Sequence, residues 1–115
     1  MTIRELIIER QAEVRNSADL LPERAAEILA ELSALLGSIN DEIRKRDVEY
    51  NLVLLQALES ENKANRAKIK AQTSEEYIKM REARDAKEVA VEMMRSLKFY
   101  LKAKADELHY SGFQK

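Results

Sequence analysis

The chain has 115 residues, of which 45% are apolar, 36% charged and only 5% aromatic, with 2 glycines, 1 proline and no cysteine or tryptophan. Without cysteine it can form neither disulfides nor thiolate metal sites, and its length allows one small domain. Helix-forming residues dominate and turn formers are few, which predicts a single all-α domain over residues 1–115 with no sheet.

The formal net charge of -1 conceals an uneven distribution. Residues 1–62 carry 7 Lys and Arg against 13 Asp and Glu, whereas residues 63–104 carry 12 against 6. Either the acidic and basic segments pair with each other, within or between chains, or the basic segment faces an acidic partner. We favour pairing, because charged helix faces are usually solvated and no groove with interleaved aromatic residues accompanies the basic segment.

The first two predicted helices cover about residues 3–15 and 21–36. Thr2 and Glu5 form a capping-box pattern, in which each side chain binds a backbone N–H of the other residue at the helix start. Short polar residues then favour a turn, and Pro22 suits the first turn of the next helix, where its missing N–H costs nothing.

A glycine interrupts the apolar pattern that continues from the second helix. Gly37 could lie just past a helix end, or inside a longer helix at a cost of ~1 kcal/mol. The apolar phase is unbroken across it, so both readings fit the sequence about equally well. We adopt a short break there, followed by a helix over residues 39–71.

The last predicted helix covers residues 74–108. Thr73 and Glu76 form a second capping-box pattern at its start, and Gly112 is suited to end it. Its apolar residues recur on a single stripe: Tyr77, Met80, Ala83, Ala90, Met94, Leu97, Leu101, Ala105 and Leu108. Because short connections make sequential helices antiparallel neighbours, we predict a bundle with a long, coiled-coil-like antiparallel hairpin formed by the last two helices.

One segment of the third helix, residues 48–58, is apolar in nearly every direction around the helix axis. A helix that is apolar all round must be surrounded, and one partner helix cannot do that. A third helix or a second subunit must therefore cover it. We predict that this segment is the most buried part of the chain and that the protein is a homo-oligomer, with these interface candidates: Val48, Leu52, Leu54, Leu55 and Leu58.

No motif predicts catalysis or a cofactor. A single histidine and the absence of cysteine leave no nucleophile arrangement. Asp106 and His109 are three residues apart, but a metal site usually needs three or four ligands. Acidic pairs such as Glu82 with Asp85 are expected by chance in so charged a chain. We expect a protein that is not an enzyme and that uses no cofactor and no metal.

Membrane insertion and secretion are not indicated either. The longest uninterrupted hydrophobic run covers only residues 52–55. Glutamates stand near the N-terminus, where a signal peptide needs a basic and then an apolar run. We therefore expect a soluble, intracellular protein located in the cytoplasm, with no membrane partner.

Stripes of cations are the one hint of a function. They recur at helical spacing in two places: Arg95, Lys98 and Lys102, and Lys63, Arg66 and Lys70 near the predicted turn. On a nucleic acid they would neutralise phosphates, with an affinity that depends on salt and not on base sequence. Phe99 and Tyr100 flank the first stripe, and we predict that both lie at the edge of the core.

Two segments carry a resemblance to known proteins: residues 75–80 (EEYIKM) and 93–102 (MMRSLKFYLK). Together with the Ala- and Lys-rich helix before them, they resemble small all-helical bacteriophage and prophage accessory proteins found with replication and recombination genes. The resemblance covers about residues 57–108. It implies a context in which such proteins bind DNA-processing machinery or bacterial defence proteins, and it assigns no residue a role.

These patterns lead to our main hypothesis: the chain is a non-enzymatic helical accessory protein, of the phage type, that acts through protein–protein contacts as an oligomer. Its protein partner is not identified by the sequence. One alternative is a nucleic-acid-binding accessory protein that uses the basic hairpin. Another is an inhibitor or adaptor of a host protein.

Overall fold

The computed structural model describes the backbone of residues 1–113 and the side chains of residues 1–109. In that part of the chain it contains four helices and no strand: α1 (Ile3–Asn16), α2 (Pro22–Ser60), α3 (Ala64–Gln72) and α4 (Glu75–Phe113). The two 39-residue helices, α2 and α4, pack together. The predicted all-α fold with a long antiparallel helical hairpin is confirmed.

Contacts cluster in two compact units. The first unit comprises Met1–Leu36 and Glu88–Lys115, and the second comprises Gly37–Lys87. Both α2 and α4 contribute to each unit, because each helix crosses a unit boundary. The organisation as a single domain stays a prediction.

In the first unit, α1 lies against the beginning of α2 and the second half of α4. Its core consists of buried apolar side chains from all three helices: Ile7, Ala25, Ile28, Leu32, Ala90, Met93 and Leu97. The predicted capping box at the start of α1 is confirmed, since Thr2 Oγ1 accepts from the Glu5 N–H at 3.1 Å and Glu5 accepts from the Thr2 N–H at 3.3 Å. Pro22 begins α2 as predicted.

The second unit contains the rest of α2, all of α3 and the first turns of α4. Its buried apolar residues are few and mostly small: Ile39, Ala57, Ala67, Ala71 and Met80. Tyr50 and Tyr77 add a tilted aromatic contact with ring centroids 5.4 Å apart. A unit with so small a core has little apolar burial to stabilise it.

The predicted break at Gly37 is wrong, because α2 continues through it without interruption from Pro22 to Ser60. Gly37 is exposed, has no positive φ and needs no special backbone conformation. Leu32 and Ile39 on either side are buried, at 0% and 2% exposure. Their burial outweighs the ~1 kcal/mol that a glycine costs inside a helix.

The predicted single helix over residues 39–71 is also wrong, since residues 61–63 separate α2 from α3. The Ser60 hydroxyl donates to the Ala57 carbonyl at 3.2 Å, and Lys63 has an extended backbone as the N-cap of α3. Serine and asparagine compete with the helix for its backbone hydrogen bonds, and Asn62 follows Ser60 closely. These two residues therefore favour the end of α2 near residue 60, although the apolar periodicity alone predicts a continuous helix.

Helix α4 begins and continues differently from the prediction. Ser74, and not Thr73, caps it, since Ser74 Oγ accepts from the Tyr77 N–H at 3.2 Å, whereas the Thr73 hydroxyl donates to the Lys70 carbonyl. At the other end, α4 passes both the predicted end at residue 108 and Gly112. The preceding run of Ala, Lys, Glu and Leu has high helix propensity, which offsets the cost of that glycine.

The apolar stripe of α4 faces the core along most of its predicted length. Met80, Ala90 and Leu97 are buried, and the other members as far as residue 101 are half-buried. Ala105 and Leu108 are exposed, so the prediction is wrong for its last two residues. The core-facing part of the stripe therefore ends at residue 101.

Candidate functional site

Four aliphatic side chains on α2 lie on a face that the described chain leaves open. This outer face of α2 is formed by Val48, Leu52, Leu55 and Leu58, which are 59%, 55%, 55% and 44% exposed. The prediction that residues 48–58 are the most buried part of the chain is therefore wrong. Within that segment only Ala57 is buried.

The helix geometry explains why the segment divides into two sides. Successive residues lie about 100° apart around a helix, so Leu52 and Leu55 point in nearly the same direction. Val53 and Ala57 lie on the inner side, where they are half-buried and buried. Leu54 lies about 160° from Leu52 and is half-buried, although it lies within about 40° of Leu58, so it differs from the other four interface candidates in its burial.

Polar residues border the outer face of α2. Asn51 and Gln56 flank it and are exposed. Lys45 lies one helical turn before Val48, and Glu59 lies one turn after Leu55. Both of these charged side chains are exposed, and neither forms an ion pair with any residue that the structure describes. The face thus has an apolar centre, neutral sides and opposite charges at its two ends.

The cations of the α4 basic stripe, Arg95, Lys98 and Lys102, are all exposed and belong to the first unit. Arg95 pairs with Glu92 at 2.9 Å, one turn earlier on the same helix. Phe99 lies on this face and is 77% exposed, so the prediction that it lies at the edge of the core is wrong. Tyr100 is half-buried, as predicted, and its hydroxyl donates to the Leu20 carbonyl.

The second group of predicted cations surrounds α3, in the second unit: Lys63, Arg66 and Lys70. All three are exposed, and Lys70 lies 3.8 Å from Glu61 and 3.4 Å from the Ser60 hydroxyl. Lys63 occupies the N-cap position, where no side chain accepts a backbone N–H, and the first turn has no acidic residue. A cation is unfavourable at that end of a helix dipole.

An ion-pair network joins α1 to α2 in the first unit. Arg24 binds Glu13 through two hydrogen bonds of 2.5 and 2.8 Å, and Arg10 donates to Glu31 at 2.5 Å. The hydrogen bonds from Arg24 lower the pKa of Glu13 against a smaller opposing effect of desolvation. Hydrogen bonding to Glu31 likewise raises the pKa of Arg10. All of these groups lie in the acidic half of the chain.

The predicted pairing of the acidic and basic segments is limited within one chain. Among the described residues, ion pairs between residues 1–62 and 63–104 are confined to Arg84 with Asp47 at 2.8 Å and Lys70 with Glu61. Most acidic residues that are paired have partners in their own half, as Glu13 does. The cations of the basic stripes are therefore left mainly to solvent or to another molecule.

A shallow groove of about 410 Å³ lies between α1 and α4 in the first unit. Its lining is mixed: Gln11, Val14, Arg15, Glu88, Val89, Glu92, Met93 and Ser96. No group of three or more His, Cys, Asp or Glu side chains in the described part of the chain could hold a metal ion. Nor, over the same residues, is any helix long and apolar enough to cross a membrane.

The chain matches no protein-family model, no curated protein and no solved structure. The relation to bacteriophage accessory proteins therefore stays a prediction from sequence texture. Sequence periodicity identified the members of the outer face of α2, but it missed the exposed Phe99, because an aromatic next to Leu97 and Leu101 has the spacing of a core residue.

Proposed function

We propose that the protein is a non-enzymatic helical interaction protein that acts as a homo-oligomer, with the outer face of α2 as its contact surface. The observation that carries the proposal is the exposure of Val48, Leu52, Leu55 and Leu58 at 44–59% within eleven residues of one helix. Single exposed aliphatic side chains are ordinary, but a contiguous group bordered by polar residues is typical of an interaction site.

The gain from covering this face is sufficient for weak association. Burying the exposed half of one such side chain contributes about 1 kcal/mol, so two copies of the face contribute roughly 8 kcal/mol before the cost of association. Association itself costs at least about 4 kcal/mol, which leaves roughly 4 kcal/mol at most and corresponds to a dissociation constant of about 1 mM or weaker. The protein would therefore exchange between monomer and oligomer at concentrations of roughly 0.1 mM and above.

Sedimentation equilibrium of the purified chain over about 20 µM to 1 mM tests the proposal. We expect the average mass to rise with concentration, and we expect Leu52→Gln to weaken association at least tenfold. Ile8→Gln is the matched control, because Ile8 is 49% exposed but lies on α1 in the first unit. Circular dichroism reports whether each variant retains its helices.

Two results would contradict this proposal. One is a strictly monomeric wild-type chain throughout the concentration range. The other is equal weakening by Leu52→Gln and Ile8→Gln, since that would make the association a general effect of exposed apolar residues. The second result can be interpreted when circular dichroism shows that both variants retain their helices.

A second candidate function, nucleic-acid binding, is favoured by one specific observation. Phe99 is 77% exposed on the face of α4 that carries Arg95, Lys98 and Lys102. Proteins that bind single strands combine cations, which follow the backbone, with aromatic rings on which bases stack. The context implied by the resemblance to proteins encoded beside replication and recombination genes agrees with this function.

Fluorescence anisotropy with labelled single- and double-stranded DNA, at low and physiological salt, tests this second function. Reversal of Arg95, Lys98 and Lys102 to Glu should weaken binding and flatten its salt dependence. Phe99→Ala should weaken binding to single strands by roughly 10-fold or more and affect duplex less, because bases in a duplex are already stacked. Binding that is absent at physiological salt, or unchanged in both variants, would reject these positions.

A further inference from the structure

We infer that two copies of this chain associate antiparallel through the outer face of α2, with Leu52 at the two-fold axis and Lys45 of each copy against Glu59 of the other. This inference rests on the proposed function, because it names the partner and the orientation of the same contact surface. It is carried by the order of charges along that face.

The face is nearly symmetrical in sequence about Leu52. Val48 and Leu55 lie four residues before it and three after it, and Lys45 and Glu59 lie seven residues on either side. Seven residues are two helical turns, or about 10.5 Å along the axis. An antiparallel helix pair centred on Leu52 therefore brings Val48 opposite Leu55 and Lys45 opposite Glu59, each of them twice.

The charges select this orientation over the parallel one. In a parallel pair, Lys45 would face the second copy's Lys45, and Glu59 would face its Glu59, so both ends would repel. In the antiparallel pair, both ends attract. The other cations near the first end, Arg44 and Arg46, already pair with acidic residues on the same helix, which leaves Lys45 as the cation available to a partner there.

The sides of the face also suit a second copy. Asn51 is exposed, neutral and able both to donate and to accept hydrogen bonds, and it lies one residue from the axis, so it can pair with Asn51 of an identical chain. The exposed Gln56 adds a second neutral side chain at the border of the face. An interface with an apolar centre and a polar rim has the usual anatomy of a specific contact. The two-fold arrangement is isologous, which closes at a dimer and exposes no further copy of the face.

Charge reversal provides the first test, with sedimentation equilibrium of the full chain as the measurement. Lys45→Glu and Glu59→Lys each turn two attractive contacts per dimer into repulsive ones. We expect each single variant to weaken dimerisation by roughly tenfold at low salt and by less in high salt, where surface charges are screened. The double variant K45E/E59K should recover the wild-type constant to within about threefold.

Cysteine cross-linking provides the second test, and the chain has no native cysteine to interfere. In the antiparallel pair, a mixture of Val48→Cys and Leu55→Cys chains should form the mixed disulfide under mild oxidation. Each variant alone should cross-link weakly, because its cysteines lie on opposite sides of the axis, about 10 Å apart along it. A parallel pair would give the reverse result.

The outcomes separate this inference from the proposed function. Loss of association in Leu52→Gln, with no recovery in K45E/E59K and no mixed disulfide, would overturn the antiparallel arrangement while the contact surface stands. An association that Leu52→Gln leaves unchanged would overturn both. Recovery in the double variant together with the mixed disulfide would support both.

Discussion

Arg84 donates a hydrogen bond from Nη2 to Oδ2 of Asp47 at 2.8 Å, and this ion pair joins α4 to α2 within the second unit. The other carboxylate oxygen of Asp47, Oδ1, is buried and has no hydrogen-bond partner among the described residues. A partly buried carboxylate with one unsatisfied oxygen depends strongly on its single cationic partner. The two residues of the pair are therefore not equivalent.

Replacement of either residue should show that asymmetry. Arg84→Ala leaves the Asp47 carboxylate without its partner, so it should lower the free energy of unfolding by about 1 kcal/mol. Asp47→Ala removes the unsatisfied oxygen together with the ion pair and should cost less. Urea unfolding followed by circular dichroism measures both. The control is Arg81→Ala, because Arg81 is an exposed arginine of α4 without an ion pair in the described part. Equal losses of unfolding free energy in Arg84→Ala and Asp47→Ala would contradict the predicted asymmetry.

Gly37 provides a change that should stabilise the protein. It lies inside α2 without a positive φ, and a Cβ added there meets nothing within 4 Å. Gly37→Ala should therefore raise the free energy of unfolding by about 0.5 to 1 kcal/mol, because alanine loses less backbone entropy on entering the helix. Ser38→Ala is the comparison and should gain less. A loss of stability in Gly37→Ala would mean that the helix needs flexibility at this position.

The same glycine illustrates what the sequence could predict. Apolar periodicity was sufficient for the fold class and for one of the two long helices, α4, since it reports which side chains lie on one face. It left the continuity of α2 undecided at Gly37, because the cost of a glycine is comparable to the gain from burying one neighbour such as Ile39. Local signals were stronger at Thr2 and Pro22, where the predicted helix starts are correct.

The sequence could predict which residues belong to the candidate surfaces, but it could not predict whether those residues are exposed. Periodicity placed Leu52 and Leu55 in an apolar segment, yet it could not say which of the sides around α2 the rest of the chain would cover. It had the same limit at Phe99, whose spacing fits a core position and whose ring is exposed. Exposure depends on which helices pack together in three dimensions, and a single periodic pattern does not contain that information.

The network around Arg24 should make stability depend on pH in the acid range. Glu13 has a pKa below its ordinary value of 4.5, chiefly because Arg24 donates hydrogen bonds to its carboxylate. The native state therefore favours the charged form, and the resulting stability is fully present above pH 4.5 and is lost as the pH falls through the lowered pKa. Solvent screening reduces the effect, since the Glu13 side chain is 32% exposed.

Unfolding measurements between about pH 3 and 7 compare the wild type with Glu13→Gln. The variant should be less stable than the wild type at neutral pH, and the difference should shrink as the solution is acidified. Glu5→Gln is unsuitable as a control because Glu5 caps α1, whereas Glu88→Gln removes an exposed carboxylate from the middle of α4 that has no ion pair in the described part. A difference between wild type and Glu13→Gln that is constant with pH would contradict the assignment.

Tyr50 and Tyr77 should couple across the second unit. Their rings lie 5.4 Å apart with an interplanar angle of 51°, a tilted geometry that aromatic pairs favour. A double-mutant cycle with Tyr50→Leu and Tyr77→Leu should give a coupling energy of about 1 kcal/mol in urea unfolding, because each single change removes the same ring contact. Tyr50→Leu combined with Gly37→Ala is the control and should be additive, since nothing lies within 4 Å of a Cβ at Gly37. A coupling below about 0.3 kcal/mol would mean that the contact between the rings contributes only through buried area.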